Sequence, residues 1–229
     1  MSVDSPAIQA VVFDLDDTLY LERDYVRSGY RAVARHLARS LGRTDPLDDW
    51  LWDRFRSGRS AGALDAMNEA FGLGLSAGQI ADLVGVYREH VPDIHPCPGV
   101  PELLADLDRS RRLALLTDGF LPAQKLKLQA LGLARRFEAV VFTEELGRAC
   151  WKPSPAGFQA VRDRLDVPHE ACAYVADNPA KDFIAPNRLG WRTVQLRWPG
   201  QVHADNPPAP GGQPQIVAAR LDDVTHALD

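Results

Sequence analysis

The amino-acid sequence predicts an α/β fold: a doubly wound (Rossmann-like) parallel sheet core, with a small α-helical domain inserted after the first strand. Two observations support this prediction. From about residue 99 to 197, short apolar segments alternate with segments of helical length and period, as in parallel sheets whose crossovers are helices. A further apolar segment, near residues 8–14, is separated from the others by a helix-rich block. We expect that isolated segment to belong to the same sheet.

Composition narrows the class of protein before any motif is considered. The chain has 229 residues, a formal net charge of -5 and 45% hydrophobic residues, which is enough for a substantial buried core. The acidic balance argues against a nucleic-acid polymer as a partner. No apolar run approaches the roughly 20 residues that a membrane-spanning helix needs. The N-terminal stretch lacks the basic start and apolar core of a secretion signal, so we expect a cytoplasmic protein.

The cysteines do not indicate a disulfide framework or a zinc site. Cys97, Cys150 and Cys172 are scattered, and no CxxC pair occurs. Reduced thiols are typical of cytoplasmic proteins, so we interpret all three as free.

The first strand, near residues 8–14, is followed by helical patterns that extend to about residue 92. Within the segment 25–42, apolar residues recur at the period of an amphipathic helix. Glycines separate this helix from the next ones. We predict further helices of this block over residues 47–57, 62–72 and 76–90.

A proline-rich stretch at 92–101 then marks a hinge or linker. Beyond it, helix and strand patterns alternate, and the strands are short and apolar enough for burial on both faces of a sheet. The Pro- and Gly-rich segment 205–215 is interpreted as a loop. The predicted helix–strand pairs are 99–110 with 112–117, 122–132 with 138–142, 154–165 with 171–176, and 179–190 with 192–197.

These patterns divide the chain into two domains. We assign residues 1–20 and 93–229 to the Rossmann-like core, because the first strand completes the sheet that the later strands form. Residues 21–92 form the inserted helical domain, in which no strand pattern occurs.

Crowded carboxylates follow the first predicted strand. In the stretch VVFDLDDTLY, Asp14 and Asp16 project on the same side of an extended chain, at the end of the strand where open parallel sheets bind their ligands. Like charges this close raise each other's proton affinity unless a cation intervenes. The crowding therefore predicts a hard divalent cation, a retained proton, or both. Mg2+ is the natural cation, since its protein ligands are oxygens.

Two further strand ends and one helix start carry residues of the same kind. Singly, each has an ordinary structural interpretation as a turn residue or a helix cap. In open parallel sheets, however, the carboxyl ends of the strands can converge on one crevice, so these side chains can meet. They are Thr117, Asp118 and Gly119 after one strand, Asp177 and Asp182 after another, and Lys152 ahead of the helix at 154–165.

Four motifs in this order give the chain a strong resemblance to the haloacid dehalogenase-like (HAD) hydrolase superfamily, in its phosphatase branch with a helical cap of the C1 type. The motifs are FDLDDTL, LLTDG, the pair Lys152-Pro153, and ADNPAKD, and the helical insert follows the first of them. The resemblance covers nearly the whole chain. One departure is Ala176, which stands where the family often has glycine before the fourth-motif aspartate.

The resemblance implies a role for each residue of the site. Asp14 would be the nucleophile that forms an aspartyl phosphate, and Asp16 would be the general acid and base, with Lys152 as a third catalytic residue. Mg2+ would be held by Asp14, the backbone carbonyl of Asp16 and Asp177, and Asp182 would help to anchor it, directly or through water.

The resemblance also implies a phosphate-binding set. Thr117 and the Asp118 backbone amide would hold phosphoryl oxygens, and Gly119 would complete the turn. Lys152 would place a positive charge against the phosphoryl group as well as the nucleophile.

By this resemblance, the chain is expected to be a Mg2+-dependent phosphatase for a small phosphorylated metabolite, such as a sugar phosphate or a nucleotide. Metal ligands and a leaving-group acid are what a phosphatase needs, whereas a 2-haloacid dehalogenase needs neither. The alternatives are such a dehalogenase, a phosphomutase, or a non-catalytic binding module with a phosphatase-like fold. We expect a monomer or homodimer whose partner is the small-molecule substrate, without a membrane or nucleic-acid partner.

Overall fold

A parallel sheet organises the larger part of the chain in the computed structural model, which describes residues 7–229. Within these residues its strands are β1 (Ala10–Phe13), β2 (Arg112–Thr117), β3 (Ala139–Phe142), β4 (Cys172–Ala176), β5 (Arg192–Leu196) and β6 (Ile216–Ala218). Their order across the sheet is β3-β2-β1-β4-β5-β6, and every neighbouring pair is parallel. The chain therefore builds the sheet outward from β1 in both directions, which confirms the predicted doubly wound α/β fold.

The chain divides into two compact units. One contains the residues up to Glu22 and those from His95 onward, and the other is Arg23–Ile94. The assignment of residues 21–92 to a cap domain stays a prediction. The helices of this part of the chain are α1 (Glu22–Leu41), α2 (Leu47–Arg56), α3 (Ala63–Ala70) and α4 (Ala77–Glu89).

The helical unit has a core of its own. Val26, Val33 and Leu37 share one face of α1, as the helical period of the sequence predicts, and they are buried together with Leu51 of α2 and Met67 of α3.

Along the described chain, no helix combines the length and the apolar character that crossing a membrane requires.

Helices cover both faces of the sheet, as strands buried on both sides require. They are α5 (Val100–Leu107), α6 (Leu121–Ala130), α7 (Ala156–Leu165), α8 (Ile184–Arg188) and α9 (Leu221–Leu228). Val12 of β1 belongs to a buried cluster with Phe158 of α7. Its neighbour Val11, equally buried, points to the opposite face, because side chains alternate along a strand. The segment 205–215, interpreted above as a loop, contains neither helix nor strand.

The register of the sheet brings particular strand ends together. β1 lies between β2 and β4, with Val12 opposite Ala114 on one side and Tyr174 on the other. Because these strands run in the same direction, the residues that follow them emerge at one edge of the sheet. That edge carries most of the candidate site residues.

The core differs from the sequence prediction at two places. The predicted helix at 179–190 is reduced to α8, because the residues before it form a turn in which the backbone amides of Lys181 and Asp182 donate to the Asn178 carbonyl. The strand β6 and the helix α9 are absent from the sequence prediction. With 3 residues, β6 is too short for a period to be recognised.

Phe158 should be one of the residues that contribute most to the stability of the core. It is fully buried, and its ring packs edge-on against Tyr174 and Trp191. We expect Phe158→Ala to lower the free energy of unfolding by about 3–5 kcal/mol, because it removes buried contacts and leaves a cavity. Val217→Ala, at a position of β6 that is 52% exposed, is the control and should change it by less than about 1 kcal/mol. Urea denaturation followed by circular dichroism measures both, and equal losses would contradict this assignment of the core.

Candidate active site

The candidate site lies at the carboxyl edge of the sheet, where β1, β2 and β4 end. Asp14 extends the pairing of β1 by one residue, since its backbone amide donates to the carbonyl of Val175 on β4 at 2.9 Å. This bond fixes the backbone of Asp14, and the residue as a whole is buried. A buried carboxylate needs a partner, because removing an unpaired charge from water is costly.

Lys152 is that partner. Its ammonium lies 2.6 Å from Asp14 Oδ1 and 2.7 Å from Asp182 Oδ1, and it donates to the Tyr174 hydroxyl at 2.9 Å. All of these side chains are buried. Burial by itself would lower the pKa of Lys152, but the charges of Asp14 and Asp182 raise it well above its usual value. The lysine is therefore a fixed positive charge that joins segments distant in sequence.

Three carboxylates share a small volume beside this lysine. One oxygen each of Asp14, Asp177 and Asp182 lies within 4.8 Å of the others. Burial raises the pKa of Asp14 to about 7, although the Lys152 charge acts in the opposite direction. Burial, followed by the charges of Asp182 and Asp14, raises the pKa of Asp177 well above its usual value. The sheet thus brings together carboxylates whose negative charges make ionisation of their neighbours less favourable.

This group of carboxylates is suited to a divalent cation. Carboxylate oxygens are the ligands that Mg2+ and other hard cations prefer. Within the described part of the chain, Asp177 Oδ2 is buried and accepts no hydrogen bond. A buried carboxylate oxygen without a partner carries a free-energy cost that a bound cation would remove.

The carboxylate of Asp16 is bound by side chains of α6. Its Oδ1 lies 2.7 Å from the Lys127 ammonium, and its Oδ2 accepts a hydrogen bond from the Gln124 amide at 2.7 Å. The Tyr20 hydroxyl also donates to Oδ1. Burial would raise the pKa of Asp16, but the Lys127 charge and the surrounding hydrogen bonds lower it below its usual value. Two neighbouring aspartates therefore have opposite pKa shifts.

The turn after β2 connects the strand end to Lys152. The Asp118 carboxylate accepts hydrogen bonds from the Thr143 hydroxyl at 2.8 Å and from the Lys152 backbone amide at 3.2 Å. It thereby fixes the backbone that carries the lysine ammonium. The Thr117 hydroxyl, at the end of β2, accepts a hydrogen bond from Gln124 at 2.8 Å.

Asp17 anchors the loop that carries Asp14 and Asp16. It is fully buried with a φ of 54°, a left-handed conformation that aspartate tolerates better than most residues. Its carboxylate accepts hydrogen bonds from the backbone amides of Glu22 at 2.7 Å and Val202 at 2.6 Å. Burial raises the pKa of Asp17 to about 6, against the effect of these hydrogen bonds. The loop after β1 is thus tied to a distant segment of the core.

The structure brings most of the predicted site residues together. Asp14, Lys152, Asp177 and Asp182 form the buried cluster described above. The side chain of Asp16 does not join it and is drawn to α6 instead. Asp182 contacts the lysine directly, and its other oxygen accepts a hydrogen bond from the Asn178 amide, which shapes the turn before α8.

The sequence does not predict several polar residues of the site. Tyr174, inside the apolar strand β4, gives no sign of a functional role in its local pattern. Lys181 lies 3.7 Å from Asp118 and follows no recognisable rule of spacing. Gln124 and Lys127 carry no clear signal either, because apolar residues are spread around α6 and the helical period does not mark these two positions as core.

Comparison with known proteins agrees with the resemblance in the sequence. The family model for haloacid dehalogenase-like hydrolases matches residues 8–190. A phosphoserine phosphatase of Thermus thermophilus is 30% identical, over 82% of this chain and 88% of the relative. A glyceraldehyde 3-phosphate phosphatase of Methanopyrus kandleri is 29% identical, over 83% of this chain and 84% of the relative.

A solved structure shares the fold. The HAD-hydrolase YfnB of Bacillus subtilis superimposes with a TM-score of 0.70, over 98% of this chain and 100% of that chain. That protein is bound to magnesium. Since the two sequences are 20% identical, this likeness supports the fold alone.

We expect the turn after β2 to require glycine at position 119, because of its backbone conformation and of the side chain beside it. Its φ is 133°, and a Cβ there would lie 2.9 Å from the Gln124 side chain. Gly132 also has a positive φ, of 68°, but a Cβ there would meet nothing within 4 Å. We expect Gly132→Ala to lower the free energy of unfolding by about 1 kcal/mol and Gly119→Ala by clearly more, through strain and contact together. Urea denaturation of both variants measures this, and equal losses would contradict a special requirement for glycine at position 119.

Proposed function

Since this chain belongs to the haloacid dehalogenase-like hydrolase family, we propose that it hydrolyses a small phosphomonoester through an aspartyl phosphate on Asp14. The observation that carries the proposal is the buried 2.6 Å contact between Asp14 and Lys152, beside two further carboxylates. This arrangement gives a nucleophilic oxygen a fixed position and a counter-charge. The two curated relatives described above are phosphatases, which favours phosphomonoesters as the substrate class.

We assign a Mg2+ site to Asp14, Asp177, Asp182 and the backbone carbonyl of Asp16. The donors are all oxygens, and the unpartnered oxygen of Asp177 is suited to a cation. When bound, Mg2+ would supply positive charge that offsets the phosphoryl oxygens and lowers the pKa of Asp14, so that this carboxylate is ionised. The remaining chemistry belongs to side chains of the protein.

Asp14 carries out the first displacement. A carboxylate oxygen attacks phosphorus, while the bond between phosphorus and the leaving oxygen breaks. Asp16, protonated at this stage, donates its proton to the leaving oxygen. The negative charge of the bound phosphoryl group raises the proton affinity of Asp16, against the effect of Lys127. The alcohol departs and an aspartyl phosphate remains on the enzyme.

Water completes the hydrolysis. Asp16, now ionised, accepts a proton from the water molecule that attacks phosphorus, and the bond between phosphorus and the Asp14 oxygen breaks. Inorganic phosphate leaves, Asp14 is again a carboxylate, and Asp16 again holds a proton. One residue thus acts as acid and as base in successive steps, and one difficult displacement is divided into two easier ones.

The phosphoryl oxygens are held by groups around the turn after β2. The Thr117 hydroxyl accepts from Gln124 and makes only a 3.4 Å contact as a donor, so its hydrogen can turn to a phosphoryl oxygen. We assign the same role to the backbone amide of Asp118, in the turn that Gly119 completes. The ammonium of Lys152 offsets charge that develops on the phosphoryl group.

The residues of the site are less well suited to a haloacid dehalogenase or a phosphomutase than to a phosphatase. Dehalogenation needs the nucleophilic carboxylate but neither a cation nor an acid for the leaving group, whereas this chain carries Asp16, Asp177 and Asp182 as well as Asp14. A phosphomutase must keep water from its aspartyl phosphate until the substrate binds again, and no feature of residues 7–229 favours that.

We assign the selection of the substrate to the helical domain, residues 21–92, as a cap of the C1 type, and the chemistry to residues 1–20 and 93–229. A lid of this kind can exclude water and favour one substrate over another. We place the enzyme in the cytoplasm, acting as a monomer or homodimer on a small molecule. Its three cysteines are free, as this location favours.

A panel of phosphorylated metabolites tests the proposed function. Phosphoserine, glyceraldehyde 3-phosphate, sugar phosphates and nucleotides are incubated with the enzyme and Mg2+, and released phosphate is measured. We expect release from at least one of them. A complete absence of release, with Mg2+ shown to bind, would favour the non-catalytic alternative.

Asp14→Asn should abolish phosphate release, because an amide cannot form the aspartyl phosphate. We expect kcat to fall by at least about 10³-fold on the best substrate of the panel. Asp108→Asn, which makes the same change at an exposed position after α5, is the matched control and should retain full activity. Full activity of Asp14→Asn would refute the mechanism.

Removal of divalent cations should stop the reaction, and added Mg2+ should restore it. Asp177→Asn should raise the Mg2+ concentration needed for half-maximal activity by about 10- to 100-fold, because it removes a charged oxygen from the assigned site. Phosphate release as a function of Mg2+ concentration measures both effects. An unchanged rate in excess EDTA would contradict the assignment of the cation.

A further inference from the structure

Two polar residues lie on the buried face of α6, beside the candidate site. Gln124 and Lys127 are three positions apart and therefore share one face of the helix. Both are buried, as are the apolar residues Ala123 and Leu128 next to them. A glutamine and a lysine on such a face cost free energy unless polar partners meet them. Their polar partners are Asp16 and Thr117, which belong to the candidate site.

Lys127 forms a buried ion pair with Asp16. Its ammonium lies 2.7 Å from Asp16 Oδ1, and its side chain is 8% exposed. By contrast, Lys125 of the same helix pairs with Glu145 where both side chains are exposed, and such pairs contribute little. If the carboxylate of Asp16 moved away, the buried ammonium of Lys127 would lose this counter-charge, which is costly. The pair therefore restricts where Asp16 points.

Gln124 links Asp16 to Thr117. Its amide nitrogen lies 2.7 Å from Asp16 Oδ2 and 2.8 Å from Thr117 Oγ1. The nitrogen, rather than Oε1, must face the carboxylate, since two oxygens would repel each other. Oε1 itself is buried and accepts no hydrogen bond within the described residues. The fold thus keeps this bridge even though it leaves one amide oxygen unsatisfied, which favours a role beyond packing.

We propose that Lys127 and Gln124 are positioning residues that aim the Asp16 carboxylate at the leaving-group oxygen of the substrate. Lys127 holds one carboxylate oxygen, and Gln124 holds the other at a fixed distance from the Thr117 hydroxyl. That hydroxyl binds the phosphoryl group to which the leaving oxygen is bonded, so a fixed spacing between Asp16 and Thr117 is what proton transfer needs. This inference rests on the proposed function, since it takes the acid role of Asp16 as its premise.

Leaving groups of different basicity separate positioning from simple stabilisation of the fold. Phenyl phosphate expels a basic oxygen that benefits from a proton, whereas 4-nitrophenyl phosphate expels a more stable anion that needs one less. The parameter kcat/KM reports the step in which the leaving group departs. Its ratio between the two esters, measured on one enzyme sample, does not depend on how much of a variant is folded.

Lys127→Met and Gln124→Met should each lower kcat/KM for phenyl phosphate by about 10- to 100-fold, because a misplaced acid transfers its proton poorly. The loss for 4-nitrophenyl phosphate should be several-fold smaller. In an Asp16→Asn background, either substitution should have little further effect, since the residue that they position is no longer an acid. Lys125→Met, on the same helix, is the matched control and should leave both values unchanged.

Equal losses for the two esters, or losses that add to that of Asp16→Asn, would show that Lys127 and Gln124 only stabilise the fold. That result would overturn this inference and leave the proposed function intact. If the unsubstituted enzyme released no phosphate from either ester or from the metabolite panel, the proposed function would fall and this inference with it.

Discussion

The buried contact of the Lys152 ammonium with Asp14 and Asp182 is the constraint on which the rest of the site depends. Charges removed from water must be paired, so these residues hold their segments in one arrangement. The parallel sheet makes the pairing possible, because β1 and β4 are neighbours and end at the same edge. The Asp118 carboxylate completes it by binding the backbone amide of Lys152. The fold therefore positions the site, and the paired charges restrict how the segments at this edge can be arranged.

The charge balance of this cluster explains why the proposed chemistry includes a divalent cation. The cluster contains three buried carboxylates, and the buried ammonium of Lys152 contacts two of them, so the cluster is negative when all three are ionised. A phosphate dianion would be repelled by that charge unless protons or cations offset it. The raised pKa values of Asp14 and Asp177 express the same imbalance. A cation bound to this cluster would lower the pKa values of Asp14 and Asp177 and would reduce the repulsion between the cluster and the substrate's phosphate.

The sequence predicts the fold and the charged cluster because both depend on local patterns. Asp14 and Asp177 directly follow apolar strands, and strand ends are where parallel sheets place their ligands. Gln124 and Lys127 are different, since their significance arises from contacts with Asp16 across more than 100 positions of the chain. The turn before α8 is likewise set by a side-chain contact, that of Asp182 with the Asn178 amide, and not by helical propensity. The contacts of Gln124 and Lys127 with Asp16 exist only once the chain is folded, whereas the contact of Asp182 with Asn178 joins residues of a single turn.

The central claim, a covalent bond between Asp14 and phosphorus, is tested most directly by trapping that bond. In an Asp16→Ala variant, 4-nitrophenyl phosphate should still phosphorylate the enzyme, because its leaving group needs little help, while hydrolysis of the aspartyl phosphate lacks its base. Borohydride added during turnover reduces an acyl phosphate to an alcohol, and peptide mass spectrometry locates the change. We expect residue 14 to be converted to homoserine only when substrate is present. Release of 4-nitrophenol with residue 14 unmodified, or with another residue modified, would contradict the account.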